Sequence, residues 1–334
     1  MAVIAWTEIE GFHNARKYTT AMPEILNGQS KVIYRAKVKL HGMNHAVQVH
    51  NDGAIVCQSR TTELTVKDDN AGFAKFILEN KEPWHEAIGY TIYGEWVGPG
   101  IQKSVALADL PKKVFAVFGA RLIGDDTSLI VDPDELRKLV YGIPDVYVIP
   151  WHHTMMGETL LTTRFEIDWS QSDEEVTKIT TQINQWVADV EQEDPWVKAN
   201  FGIKGIGEGL VFYPVSKAHL GYANFANLTF KAKGEAHKNI KTAKPAQVNA
   251  EAAASVDAFV AMVLTDARLE QGATATALTP GVYSKAQTGK FVSWITTDVQ
   301  KEAQDELAAS NLTWAQVQKP LSEKARQWFL AKAA

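Results

Sequence analysis

The stretch Lys31-Val-Ile-Tyr-Arg-Ala-Lys-Val-Lys-Leu-His-Gly-Met-Asn44 joins a strand pattern to a turn and decides the fold. Its basic residues stand at alternate positions, Lys31, Arg35, Lys37 and Lys39. A period of two is typical of a β-strand with one buried face, and Gly42 predicts a turn where that strand ends. A second turn, Asn51-Asp52-Gly53, separates two short apolar runs and predicts a β-hairpin. Residues 31–60 are therefore expected to form strands.

Similar apolar patterns predict the other elements of an α+β body. Further strands are expected at Gly89–Val97, Lys113–Ile123, Gly207–Val211 and Phe230–Lys233. Helices are expected over roughly residues 71–80 and over Ser172–Val190, where Ser172 and Glu175 have the spacing of a capping box. Pro195 is expected to mark the exit from the second helix, and strands are expected after it.

The composition changes near Gly234 and indicates a second, smaller domain. Residues 234–250 are rich in Lys and Ala, contain Pro245 and are typical of a linker. Helical stretches follow at Ser255–Glu270, Lys290–Ala309 and Thr313–Lys332. We therefore predict antiparallel sheets flanked by helices in residues 1–240, a linker at 241–250 and a small all-α domain in residues 251–334.

The composition excludes several classes of protein. A chain of 334 residues with 46% hydrophobic residues can bury a large core, so it is not mainly disordered. The single cysteine, Cys57, excludes a disulfide framework and a multi-cysteine metal site. No run of about 18 apolar residues and no secretory signal at the start are visible, which favours a cytoplasmic protein without membrane contact.

Charge is distributed unevenly over a weakly acidic chain, whose net charge is -5. Residues 31–60 carry +4 and residues 201–245 carry +5, so the remainder carries -14. Basic residues concentrated in two segments indicate a local phosphate site.

Lys39 is the first candidate for catalysis. A lysine amine is a nucleophile only when deprotonated. The residues that follow it in order are Glu95, Phe118, Glu208 and the pair Lys231 and Lys233. Carboxylates can hold a ribose or a hydrated metal ion, an aromatic ring can stack on a base, and lysines can neutralise phosphate, so the set suits nucleotidyl transfer. Each residue alone also has an ordinary explanation, as a strand charge or a core aromatic.

Two motifs carry a resemblance to a known family. Lys39-Leu-His-Gly-Met-Asn44 resembles the Lys-x-His-Gly-x-Asn motif of covalent nucleotidyltransferases, and most closely that of the bacteriophage RNA ligase 2 family, to which kinetoplastid RNA-editing ligases are related. Gly94-Glu95 followed by Gly98-Pro-Gly-Ile-Gln102 resembles a segment that DNA ligases and capping enzymes usually lack. The resemblance implies the nucleotidyltransferase fold, similar to ATP-grasp, for the first domain.

The resemblance implies a role for each matching residue. Lys39 would attack the α-phosphate of ATP and hold AMP as a phosphoramidate, with Lys231 and Lys233 at the phosphate. Glu95 would bind the ribose and Phe118 would stack on adenine, in a cofactor site that also includes Leu40, Asn44, Arg60 and Glu208. Glu208 would bind Mg²⁺ or Mn²⁺ through water. Contacts with RNA would come from Lys37, Arg60, Gln102, Arg268, Asp298 and Glu302.

Other charges would act on Lys39, and some positions depart from the family pattern. Two neighbouring ammonium groups and the divalent ion are expected to favour the deprotonated amine of Lys39 by like-charge repulsion.

Ser59, Gly119 and Tyr213 stand where the family often has a lysine, an aspartate and a basic residue. We expect these differences to change contacts with the substrate strand and a second metal ion. Surface charge on helices is an equally good explanation for Arg268, Asp298 and Glu302.

The expectation is an ATP-dependent RNA ligase that joins a 5′-phosphate to a 3′-hydroxyl at nicks in duplex RNA and acts as a monomer. Two alternatives stay open. A DNA ligase or capping enzyme shares the chemistry, but a helical tail differs from the OB-type β domain expected of those enzymes. A non-catalytic RNA-binding protein with the same fold is the other, and the complete set of Lys39, Glu208, Lys231 and Lys233 disfavours it.

Overall fold

The structure is a computed structural model that describes residues 2–102, 105–156, 159–234, 256–277, 282–303, 306–307 and 312–333. Contacts divide the chain into two compact units, Met1–Gly234 and Glu235–Ala334. The expected linker at 241–250 lies outside the described residues. The division falls close to the expected end of the first domain, and the exact domain limits stay a prediction.

The first unit contains two large sheets and a two-stranded ribbon. Its strands are β1 Glu10–Gly11, β2 Lys31–Lys39, β3 Met43–Val49, β4 Ile55–Ser59, β5 Glu63–Leu64, β6 Tyr90–Val97, β7 Val114–Leu122, β8 Val146–Val148, β9 His153–Met156, β10 Thr159–Thr162, β11 Arg164–Asp168, β12 Gly209–Pro214 and β13 Phe230–Lys233. The first sheet has the order β1-β13-β12-β2-β11 and the second has the order β5-β4-β3-β6-β7-β8, while β9 and β10 form the ribbon. Only β1 with β13 and β7 with β8 pair in parallel among these strands.

The strand pattern at the start of the chain is confirmed. Val32, Tyr34 and Ala36 of β2 are fully buried, because alternate side chains of a strand point to one face. The turn at Asn51-Asp52-Gly53 connects β3 to β4, and Gly53 has a φ of 79°, which glycine adopts without a steric penalty. The strands predicted at Gly89–Val97 and Lys113–Ile123 are β6 and β7.

Six α-helices of the first unit surround the sheets in the described residues: α1 Phe12–Ala21, α2 Phe73–Glu79, α3 Pro133–Leu139, α4 Asp173–Gln192, α5 Pro195–Phe201 and α6 Tyr222–Leu228. Short 3-10 helices lie at Pro23–Leu26, Glu82–Ala87, Ala106–Asp109 and Lys217–His219. The predicted α2 and α4 are confirmed, and the Ser172 side chain caps α4 by accepting the Glu175 N–H. The Glu175 side chain binds Lys178, so only the Ser172 half of the expected capping box is seen.

The prediction that strands alone follow Pro195 is wrong. Pro195 is the first residue of α5, because Asp194 accepts hydrogen bonds from the N–H groups of Trp196 and Val197 and caps that helix. Helix α6 also interrupts the expected strands. Gly207 and Glu208 lie just before β12, which begins at Gly209.

Two apolar clusters form the core of the first unit. One contains Tyr34 of β2, Phe212 of β12, Phe230 of β13 and Trp6 of the N-terminal segment. The other contains Phe115 of β7 and the faces of α2 and α3 that cover the second sheet. Because the first cluster also includes Tyr93 and Phe118, it joins the two sheets and fixes the space between them.

The second unit is helical in its described part, as predicted. Its helices are α7 Val256–Val263, α8 Asp266–Thr276, α9 Thr288–Glu302 and α10 Trp314–Lys332, with a 3-10 helix at Lys285–Gln287. The stretch predicted as one helix, Ser255–Glu270, is divided at Thr265, whose side chain accepts the Arg268 N–H and caps α8. Phe259, Phe291 and Phe329 lie in the core, and Pro320 lies inside α10. No helix of the described residues is long and apolar enough to cross a membrane.

Candidate active site

Glu208 is the centre of the candidate site. Its side chain is 1% exposed, and its Oε2 lies 2.7 Å from Lys39 Nζ and 3.4 Å from His41 Nδ1. Its Oε1 lies 3.3 Å from Lys233 Nζ. The predicted nucleophile Lys39 and the predicted phosphate-binding residue Lys233 therefore share one buried carboxylate.

Sheet register explains why these residues meet. Strand β12 lies between β2 and β13, and Gly209 is paired with both Lys39 and Lys233. Glu208 directly precedes Gly209, so its side chain lies at the ends of both neighbouring strands. Gly209 has a φ of 147°, and a Cβ there would overlap the backbone oxygen of Ala232, so this close approach requires glycine.

The positive charges around Glu208 favour the ionised form of its carboxylate. Burial by itself raises the pKa of Glu208, but Lys39, Lys233 and His41 outweigh it and hold that pKa well below its ordinary value. In return, the carboxylate stabilises the ammonium form of Lys39. The expected repulsion between like charges is therefore not the dominant interaction of Lys39 in the protein alone, and the deprotonated amine stays a prediction for the complex with ATP and metal ion.

Glu95 lies on the opposite sheet and completes the surroundings of Lys39. It is paired with Asn44 across β6 and β3 and accepts a hydrogen bond from the Asn44 side chain. Burial and the charge of Glu208 raise the pKa of Glu95 to about 7, although Lys39, Asn44 and Arg60 act in the opposite direction. A Cβ at Gly42 would lie 2.5 Å from Val97 Cγ1 and 2.7 Å from the Trp96 oxygen, so glycine lets the turn after Lys39 approach β6.

Glu95→Gln is expected to stabilise the fold at alkaline pH and not at acidic pH. Because the folded protein holds the Glu95 proton up to about pH 7 and the unfolded chain releases it near its ordinary value of 4.5, the stability that Glu95 contributes falls as pH rises through that window. The neutral amide removes this cost, so we expect a gain of about 1–3 kcal/mol at pH 8 and none near pH 4. Urea unfolding at both pH values measures it, with the exposed Glu174→Gln as control. Equal gains at both pH values would contradict the assignment.

Phe118, the predicted adenine-stacking residue, is 7% exposed and contacts a residue that the sequence did not indicate. Its ring lies 5.5 Å from that of Trp6, edge to face, and Trp6 also lies 4.8 Å from the Tyr93 ring. Trp6 belongs to the segment before α1, which the strand and helix patterns leave unassigned. The sequence gives only an indirect sign of Trp6, which is the glycine at position 119 that leaves room for the indole.

The departures from the family pattern have structural reasons. A Cβ at Gly119 would lie 2.6 Å from Trp6 Cη2, so an aspartate does not fit beside this indole. Tyr213 is buried and takes part in a core contact with the Phe225 ring at 5.9 Å. Ser59 accepts the Thr62 N–H and stabilises the turn after β4.

Gly119→Ala is expected to destabilise the first unit by about 1–3 kcal/mol, because the added methyl group overlaps Trp6. Gly221→Ala is the control, since nothing lies within 4 Å of its added methyl group. Thermal unfolding of both variants, and of Gly119→Ala in a Trp6→Ala background, measures the coupling free energy between positions 119 and 6. The cost should largely disappear when Trp6 is absent, and an unchanged cost would show that another contact is responsible.

Lys37 was predicted to contact RNA, and its placement argues against that role. The side chain is 1% exposed, and Nζ donates to the Phe118 backbone oxygen at 2.9 Å. It also lies 5.0 Å from the centre of the Trp151 ring. Burial is the main reason that the pKa of Lys37 falls well below its ordinary value. Lys37 therefore connects β2 to β7 and is not a surface contact for a nucleic acid.

The other predicted residues of the first unit are spread around this centre. Leu40 is buried, and Lys231 is partly buried, on the same face of β13 as Lys233. Arg60 is exposed, with Nη2 at 3.3 Å from Glu8 Oε1, and its charge acts on Glu95. Gln102 is partly buried at the edge of a described range, so its role stays a prediction.

In the second unit, Arg268 does not reach the surface. Its side chain is 0% exposed, and Nε lies 2.8 Å from Asp298 Oδ2, while Nη2 lies 3.8 Å from Glu302 Oε2. Nη1 donates to the Val263 oxygen at 2.8 Å. Arg268 was predicted to be either an RNA contact or a surface charge, and its burial disagrees with both. In the structure it is the centre of a buried ion-pair network.

Glu208 is the residue that the motif resemblance selects to hold a divalent cation. No group of three or more His, Cys, Asp or Glu side chains that could hold a metal ion is found among those residues. Both oxygens of Glu208 already face lysines. This arrangement fits a hydrated ion held through water better than a directly ligated one.

Comparison with known proteins agrees with the motifs. A family model described as RNA ligase matches residues 33–233, which include Lys39, Glu95, Glu208 and Lys233. Among solved structures, a variant of Naegleria gruberi RNA ligase in an apo form is 21% identical, with a TM-score of 0.42; the match covers 70% of this chain and 56% of the ligase. A variant of that ligase with ATP and Mn is 21% identical, with a TM-score of 0.43, and covers 70% and 57%. The present chain thus spans little more than half the length of these proteins. Because the family match extends over more than half of the chain, the chain belongs to the RNA ligase family.

Proposed function

We propose that this protein is an ATP-dependent RNA ligase of the RNA ligase 2 type, which seals nicks in duplex RNA through a lysyl-AMP intermediate. The observation that carries the proposal is the convergence of Lys39, Lys233 and Glu95 around Glu208, within a chain of the RNA ligase family. The residues that the motif resemblance selects are those that the sheet register brings together.

In the first step, Lys39 Nζ attacks the α-phosphorus of ATP as the free amine, a P–N bond forms, the bond to the leaving pyrophosphate breaks, and Nζ releases a proton to solvent. Lys233 and Lys231 balance the charge that develops on the phosphate oxygens. Glu95 accepts a hydrogen bond from the ribose. A divalent cation held through water by Glu208 would add positive charge at the triphosphate and compete with Lys39 for this carboxylate.

In the later steps, AMP passes from Lys39 to the 5′-phosphate of an RNA end, and the 3′-hydroxyl at the nick attacks that activated phosphate and releases AMP. An RNA duplex is recognised mainly through its shape, phosphates and 2′-hydroxyls, so no base-reading element is needed. Arg60, which is exposed and acts electrostatically on Glu95, would contact the incoming strand.

The test uses the full chain with a nicked RNA duplex, ATP and Mg²⁺ or Mn²⁺. We expect joining of the two strands when the nick carries a 5′-phosphate and none with the matched 5′-hydroxyl substrate. Nicked DNA and GTP are run in parallel. Sealing of DNA alone would indicate a DNA ligase, transfer of GMP to an RNA end would indicate a capping enzyme, and RNA retention without any adenylate would indicate a binding protein.

A further inference from the structure

A cavity of the first unit is lined by residues other than those of the candidate active site. Its volume is about 420 Å³, and its polar lining comprises Arg35, Arg164, Trp151, Asp132 and Glu135. Its apolar wall includes Leu129, Val131, Val215 and Leu220. The proposed sealing steps assign no role to this cavity.

Two arginines point into the cavity from neighbouring strands. Arg35 of β2 is paired with Arg164 of β11 in the antiparallel register, so the two side chains share one face of the sheet. The Arg35 guanidinium lies 4.4 Å from the centre of the Trp151 ring. Its Nε is buried without a hydrogen-bond partner. Two guanidinium groups held side by side are a common arrangement for binding phosphate.

The two carboxylates of the cavity accept hydrogen bonds from groups other than its two arginines. Asp132 accepts the Asp134 N–H at 3.0 Å and the Trp151 Nε1–H at 3.4 Å. Glu135 Oε1 accepts from Lys138 Nζ at 2.7 Å. Among the residues that the structure describes, no carboxylate lies within ion-pair distance of Arg35 or Arg164. Arg35 Nε therefore remains a donor for an acceptor-rich anion, although the charge of Asp132 also acts on this guanidinium.

We propose that this cavity binds an unpaired nucleotide of the RNA substrate, with its phosphate on Arg35 and Arg164 and its base against the apolar wall. This inference rests on the proposed function, because it takes RNA as the substrate. Trp151 of the cavity also faces Lys37, which precedes Lys39 by two residues on β2. Arg35 and Lys39 are four residues apart on one strand, or ~13 Å, so the same RNA strand can reach both.

The experiment measures binding of RNA to the full chain at several salt concentrations. Arg164→Ala is the main variant, because Arg164 is exposed and its loss should not disturb the fold. Arg35→Lys is the second, since it keeps the charge and loses the planar fork. Arg137→Ala, which removes an exposed arginine paired with Asp134, is the matched control. The probes are a nicked duplex with a short single-stranded extension, the same duplex without it, and AMP.

Arg164→Ala should weaken binding of the extended duplex by about 5- to 20-fold and reduce the slope of log Kd against log salt by about one. Binding of the blunt duplex and of AMP should be unchanged. A change confined to AMP would mean that the cavity takes a free nucleotide, and no change with any probe would mean that it takes none; either result overturns the proposal. Adenylylation of each variant is measured in parallel, so that loss of RNA binding is separable from failure of the proposed function.

Discussion

Lys39→Ala is expected to abolish transfer of AMP from ATP to the protein. Lys39 Nζ contacts Glu208 and also lies close enough to Glu95 to act on its charge, and we assign this amine as the nucleophile. Removing the nucleophile of a covalent mechanism leaves no route to the intermediate. Incubation with ATP labelled at the α-phosphate and a divalent cation, followed by denaturing electrophoresis, measures the transfer. The label should be undetectable in this variant.

Two further variants separate chemistry from charge. Lys39→Arg keeps a cation that can pair with Glu208, but its guanidinium stays protonated and cannot attack phosphorus. It should therefore keep the stability of the wild-type protein and still fail to take up label. The exposed Lys204→Ala is the control for loss of a lysine and should label normally. If Lys39→Arg takes up label at the normal rate, the assignment of Lys39 as the nucleophile is wrong.

Arg268→Ala is expected to destabilise the second unit by about 3–5 kcal/mol. The substitution leaves Asp298 and Glu302 without their buried partner and opens a cavity where the guanidinium lies. It also leaves the Val263 oxygen without its donor. Urea unfolding followed by the helical circular dichroism signal measures the effect.

Arg326→Ala is the matched control, because Arg326 is an exposed residue of α10 with no ion pair in the described part of this unit. Its free energy of unfolding should change by less than about 0.5 kcal/mol. Asp298→Asn, a milder change, should give an intermediate loss if the full truncation prevents folding. If Arg268→Ala unfolds like the wild-type protein and yet loses RNA sealing, the direct RNA contact is correct and the network interpretation is wrong.

Local patterns in the sequence predicted much of the first unit. The alternation in β2, the glycine turn of the β3–β4 hairpin and the helical face of α4 depend on residues close in sequence, and all three are confirmed. The helix α5 was missed because Asp194 and Pro195 form a helix start, which is easily mistaken for a helix stop.

The site depends on contacts between distant residues, which the sequence pattern alone does not contain. The meeting of Lys39, Glu208 and Lys233 follows from the register of three strands. Alternation correctly put Lys37 on the same face as Lys39, but β7 and Trp151 cover that face at Lys37 and leave it buried. Arg268 was misjudged for the same reason, because its burial results from packing between helices.

The position of AMP on the chain tests the central claim most directly. After incubation with ATP and a divalent cation, the protein is digested and its peptides are analysed by mass spectrometry. The account predicts one adenylyl group, on Lys39. An adenylyl group on Lys231 or Lys233, or on no lysine at all, would contradict it.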